Sequence, residues 1–245
     1  ICVQGCQTWA RSRATRTALE DASLEGVLLQ STASVDIGMG RILASCRLLM
    51  HRSLHPDLGV DRTTGLLAGA TQVLSPHWDA RPAGAVPELL VVHGISLPPG
   101  EFGGPWIDRL FCGQLPAAAH PLFADVAGLR VSAHALVRRD GSIHQYVPFG
   151  ERAWHAGRSS WRGRETCNDF SVGIELEGTD QVPYEDPQYA VLAALINALC
   201  SAYPSLGVER IVGHSDIAPG RKSDPGPAFD WQRLRALLQL PRPPR

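Results

Sequence analysis

Leu89-Leu90-Val91-Val92-His93 is a continuous apolar run ended by Gly94. A short run without polar alternation reads as a strand buried on both faces. Such a strand needs neighbouring strands beside it and packed layers above and below, so it directs the chain to a sheet covered by helices.

The flanking signals agree. Val131–Val137 and Ser142–Val147 enclose Arg139-Asp140-Gly141, and Asp-Gly between two such runs is a strong hairpin signal. Phe170-Ser171-Val172-Gly173-Ile174-Glu175-Leu176 alternates as a strand does. Pro187 to Tyr203 reads as a helix, with proline at its start, an Ala/Leu-rich body and Pro204 as its stop. Ile211-Val212-Gly213-His214 is a short strand entering a Pro/Gly loop, and Asp230 caps a last helix over Trp231 to Leu238. Strands and helices interleave without strict alternation. The expected fold class is therefore mixed α/β, a central mixed β-sheet flanked by helices in a single domain over 60–240.

Residues 1–59 look different. Of the 16 aromatic residues only Trp9 falls there, and the segment keeps no period of 2 or 3.6. It is expected to be a mostly disordered N-terminal extension, or upstream-translated sequence with the true start near Met50 or Val60; residues 241–245 form a Pro/Arg tail. Leu43-Ala44-Ser45-Cys46 matches the short box before a lipidated bacterial cysteine, but Asp36, Gly38, Gly40 and Arg41 interrupt the apolar stretch that a signal peptide needs. No lipid anchor is expected.

The net charge of −1 supplies no basic field for nucleic acid or an anionic membrane, and no apolar run approaches the roughly 18–20 residues of a membrane span. The six cysteines show no C-x-x-C pair, which suits free thiols in a reducing compartment.

Chemistry concentrates in a few positions. His93 and His214 each close a short apolar strand and precede a loop, whereas His77 and His120 sit beside prolines and are expected at the surface. After His214, three prolines and three glycines between Gly213 and Pro227 hold Lys222 and Asp224 in a fixed path. Two apart, these side chains project to one side of an extended segment. Lys222 is the only lysine among 23 Lys and Arg residues, which points to a site where a compact ammonium works and a planar guanidinium does not. Two imidazoles and a carboxylate are a common catalytic zinc set with one position left for water. Glu175 and Glu177 share one face of their strand: either a proton acceptor for that water, or a solvent-facing pair on an edge strand.

His77-Trp78-Asp79-Ala80-Arg81-Pro82, the run from Leu90 to Trp106, the segment from Cys167 to Asp180 and the stretch from His214 to Trp231 together resemble the AmpD family of 1,6-anhydro-N-acetylmuramyl-L-alanine amidases. The likeness runs from about Val73 to Leu238. It implies an amidase domain holding one Zn2+ on His93, His214 and Asp224. It also implies Glu175, rather than Glu177, as catalytic acid and base, Lys222 as its partner, and Arg130 and Trp154 as contacts to the anhydromuramyl peptide. The substrate it implies is a small muropeptide of peptidoglycan recycling, met by a cytoplasmic monomer with no nucleic-acid or membrane partner. Two positions depart from the family pattern: Gly94 stands where relatives have Asn, and Thr166 where they have Arg. The competing readings are an envelope-anchored peptidoglycan amidase and a non-catalytic peptidoglycan-binding module on the same fold. A chain beginning at Val60 is expected to match the full chain in zinc content and amidase activity; a deficit in either would give residues 1–59 a role.

Overall fold

Two seven-residue strands lie side by side in the middle of the sheet, and every residue of both is buried. They belong to a computed structural model that describes residues 58–239. The expectations for the front segment and its cysteine box, and for the Pro/Arg tail, fall on residues outside that range.

In chain order the elements are β1 (Thr71–Gln72), β2 (Trp78–Asp79), β3 (Leu89–Ile95), α1 (Trp106–Phe111), β4 (Ala135–Val137), β5 (Ile143–Gln145), β6 (Arg152–Ala153), β7 (Ser160–Trp161), β8 (Arg164–Glu165), β9 (Ser171–Glu177), α2 (Asp186–Ala202), β10 (Ile211–Gly213), α3 (His214–Ile217) and α4 (Trp231–Leu237). The main sheet has six strands in the order β1-β5-β4-β9-β3-β10. Only β4 and β5 pair antiparallel; the other neighbours are parallel. This is the mixed sheet with flanking helices that the pattern predicts.

The period of two separates the sheet into a packing face and a working face. On the first, Leu90, Val92, Val172, Ile174 and Leu176 join Val191, Leu192, Leu195, Ile196 and Leu199 of α2 in one apolar core. On the other, Leu89 and Val91 pack with Ala156, Phe170 and Ile217, and Ile95 packs with α1. Between these two apolar patches lie His93 and Glu175. Gln188 fastens α2 to the sheet: its amide donates to the carbonyls of Val137 (3.2 Å) and Glu177 (3.1 Å), and its oxygen accepts from Glu185 N (3.0 Å).

The Asp-Gly hairpin forms as expected. Asp140 Oδ1 accepts from Ser142 N and Oγ (2.9 and 2.7 Å), and Gly141 takes φ +86°. Its strands are shorter than the apolar runs: Ser132 N donates to Trp154 O (3.2 Å), and Tyr146 N and Val147 N both turn to His134 O (2.9 and 3.4 Å). A larger correction concerns β9, which is interior. Glu175 and Glu177 are 1% and 2% exposed, so the edge-strand reading of the pair does not hold. The short strands β1, β2 and β6–β8, and helix α1, carry too few residues for a periodic signal. Among the described residues no helix is long and apolar enough to cross a membrane. Ile174→Ala, which empties a fully buried site against α2, is expected to cost about 2–5 kcal/mol in urea denaturation.

Candidate metal centre

His93 enters the site because β3 and β9 pair in register, His93 opposite Glu175. His214 arrives from the other side: β10 pairs with β3 through Gly213 and Val92, and His214 opens α3 immediately afterwards. Asp224 closes the loop that follows, tied back by Ser215 N donating to Asp224 O (3.0 Å). The three side chains are buried, and one donor atom from each could hold a metal ion.

The donor triangle is tight. His93 Nδ1 lies 3.0 Å from His214 Nδ1, and Asp224 Oδ2 lies 3.2 Å from the first and 3.0 Å from the second. Ligands at zinc distances of about 2.0–2.1 Å in a tetrahedral array stand about 3.3 Å apart, so the triangle is close to the size the ion requires. Asp224 Oδ1 is buried without a hydrogen-bond partner, an arrangement that a nearby cation would compensate.

The protonation states also fit. Burial, reinforced by the neighbouring His214, pushes His93 down to about 3, and burial lowers His214 against the opposing pull of Asp224. Burial alone would raise Asp224, but its hydrogen bonds to His214 and His93 hold it well below the usual carboxylate range. Neutral imidazoles beside an ionised carboxylate are the donor forms that a divalent metal needs.

Behind the triangle is a second layer. His214 Nε2 faces the Ala156 carbonyl (3.2 Å), and His93 Nε2 faces His155 Nδ1 (2.9 Å). His134 accepts from Gly173 N (3.0 Å), and Arg81 spreads its guanidinium over the carbonyls of Gly150, Asn168, Asp169 and Ser171. Nothing in the sequence pattern singles out His134, His155, Asn168 or Arg81 for this role. The one trace is the run Ser171-Val172-Gly173, whose small residues on the working face leave room for an imidazole.

The other expected site residues divide into two groups. Burial raises Glu175 to about 7; the Asp224 carboxylate adds to that rise and the Lys222 ammonium opposes it. Lys222 is half-buried on the same loop as Asp224. Glu177, one turn of the pleat away, is instead an anchor: it accepts from Gly103 N (2.7 Å), Arg139 N (3.3 Å) and Arg138 Nη1 (3.3 Å), holding the Pro/Gly loop against the sheet end. Arg130 and Trp154 form a separate group in which the guanidinium lies 5.1 Å from the ring centroid. Trp154 Nε1 donates to Asp79 Oδ1 (3.0 Å), and His77 stacks on the indole at 6.1 Å. His77 is therefore buried rather than a surface loop residue, because its ring covers Trp154 and its Nδ1 meets Val131 O at 3.1 Å.

The two departing positions have structural counterparts. At Gly94 an added Cβ would come 2.3 Å from the Tyr184 hydroxyl, which donates to Pro225 O (2.9 Å) beside Asp224. Thr166 adopts a left-handed backbone (φ +58°), uncommon for a β-branched residue, and borders a cleft of about 360 Å³ together with Arg158, Ser159, Pro219 and Arg221.

The family model for N-acetylmuramoyl-L-alanine amidase, Amidase_2, matches residues 83–227. The chain is similar to 1,6-anhydro-N-acetylmuramyl-L-alanine amidase AmpD of Escherichia coli (strain K12), 63% identical over 174 residues, which covers 71% of this chain and 94% of that protein. It is 52% identical to AmpD of Haemophilus influenzae over 179 residues, 73% of this chain and 97% of that one. Among solved structures, the crystal structure of a Se-Met AmpD derivative matches with a TM-score of 0.70 at 63% identity, covering 71% of this chain and 97% of that chain.

Gly94→Ala is expected to push the Tyr184 hydroxyl off Pro225 O and lower stability by about 1–3 kcal/mol, read by thermal or urea unfolding. A neutral result would mean that Tyr184 gives way freely.

Proposed function

The chain belongs to the N-acetylmuramoyl-L-alanine amidase family, and on that premise we propose how its residues divide the work of cutting the lactyl–L-alanine amide of anhydromuramyl peptides. The observation that carries the reading is the convergence of His93, His214 and Asp224 with Glu175 on the adjacent strand. The metal is one zinc ion, favoured by two imidazoles, a carboxylate and a compact triangle. Zinc bound there supplies Lewis-acid polarisation of the amide carbonyl and activation of water.

The protein groups do the rest. Glu175, raised to about 7, sits where a carboxyl can both accept and donate a proton near neutral pH. It takes a proton from the attacking water and returns it to the departing amino group of L-alanine. Lys222 offers its ammonium to the negative charge that develops on the carbonyl oxygen. Trp154, fixed by Asp79 and His77, presents an aromatic surface to the anhydromuramyl ring with Arg130 beside it. The peptide extends into the cleft bordered by Thr166, where Arg158 and Arg221 suit its carboxylates.

Three free cysteines among the described residues and the AmpD relatives support a cytoplasmic enzyme of peptidoglycan recycling that acts on soluble muropeptides. A binding module on the same fold would carry no stoichiometric zinc, so metal analysis of the purified protein separates the two.

Glu175→Gln is expected to lower hydrolysis of an anhydromuramyl peptide by at least about 10²-fold with zinc content unchanged; hydrolysis near the wild-type rate removes Glu175 as the base. Lys222→Met is expected to cost about 10²–10³ in kcat, as for loss of one oxyanion donor.

A further inference from the structure

His93 presents two ring nitrogens to two different environments. Nδ1 faces His214 Nδ1 and Asp224 Oδ2, and Nε2 faces His155 Nδ1 at 2.9 Å. A neutral imidazole carries one proton, and the nitrogen that offers its lone pair to a cation cannot be the one that carries it. The proton of His93 therefore belongs on Nε2, where it needs an acceptor.

We propose that His155 is a positioning residue for the metal centre: its Nδ1 accepts the Nε2 proton of His93 and so keeps His93 Nδ1 bare toward His214 and Asp224. This rests on the zinc reading above. His155 in turn carries its own proton on Nε2, which lies 3.1 Å from Ser171 Oγ. The result is a line of directed hydrogen bonds from the ligand through a second imidazole to a serine on β9.

The placement of His155 is over-determined. Its ring lies against the backbone of Gly173, where an added Cβ would come 2.4 Å from Cγ and 2.5 Å from Nδ1. Asn168 Oδ1 accepts from the backbone N–H of both His155 (3.2 Å) and Ala156 (2.8 Å). Ala156 O is the acceptor opposite His214 Nε2, so two consecutive residues pinned by one asparagine serve both metal histidines. For His214 the acceptor is a carbonyl, which has only one role. For His93 it is an imidazole, whose role depends on which nitrogen holds the proton, and Ser171 and Gly173 make that ring fit in one orientation. Outer partners of metal-bound histidines typically change metal affinity by about 10–100-fold when removed.

The test is the zinc dissociation constant, by chelator competition, of the wild type, His155→Phe and His155→Asn. Phe keeps ring volume but accepts nothing; Asn loses the ring but keeps an oxygen near the position of Nδ1. Expected are a weakening of about 10–100-fold for Phe and recovery of most of it by Asn. Phe binding zinc as tightly as wild type, or Asn as weak as Phe, overturns the proposal. A readout independent of variant folding is the 15N spectrum of histidine side chains in the zinc-loaded wild type. There His93 and His155 are both expected protonated at Nε2, and His93 protonated at Nδ1 overturns the proposal. A wild type that holds no zinc refutes the metal centre itself, whereas tight wild-type zinc with an unchanged Phe variant refutes only His155.

Discussion

The parallel pairing of β3 with β9 is the constraint on which the site depends. It sets His93 and Glu175 side by side on the working face, while Val92 and Ile174 point into the core against α2. A slip of one residue in either strand would send the imidazole or the carboxyl into that apolar layer. The core and the chemistry are therefore fixed by the same register. Burial of Leu90, Val92, Val172, Ile174 and Leu176 stabilises the pairing, and the polar side chains are carried to their places by it.

The working face tolerates groups that a hydrophobic core would reject. His93, His134, His155, Glu175, His214 and Asp224 are all nearly inaccessible to water. Desolvation keeps the imidazoles neutral and drives the Glu175 carboxyl upward, whereas the two histidines against Asp224 hold its carboxyl well below the usual carboxylate range. Glu177 shows what the same residue type becomes with different neighbours. Surrounded by Gly103, Arg139 and Arg138, it is a structural tie.

Much of this fold is legible in the sequence. The apolar run at Leu89, the alternation after Phe170 and the Asp-Gly turn all specify strands, because period and turn chemistry are local properties. His93 and His214 are legible because each ends a short apolar strand at a loop, and Asp224 because the Pro/Gly-rich path after His214 fixes its place. The interior position of β9 is not legible, since edge and centre differ only in partners that lie far away in the chain. The burial of His77 is hidden for the same reason: its neighbour Pro76 suggests a surface loop, but its ring covers Trp154, a contact no local pattern encodes. His155, Asn168 and Arg81 stayed hidden because they act by bonding to backbone and to other ligands, and such roles leave no periodic trace. Family likeness alone separates Glu175 from Glu177 in the sequence; in the fold Glu175 lies opposite His93, whereas Glu177 ties down Gly103 and Arg139.

The scarcity of lysine has a practical consequence. Twenty-two arginines carry the chain's other fixed positive side-chain charges, so Lys222 is its only side-chain primary amine. It sits half-buried within electrostatic reach of Glu175. Within this sequence an amine-selective acylating reagent therefore has one side-chain target, and the progress of labelling there reports directly on the environment of that single nitrogen.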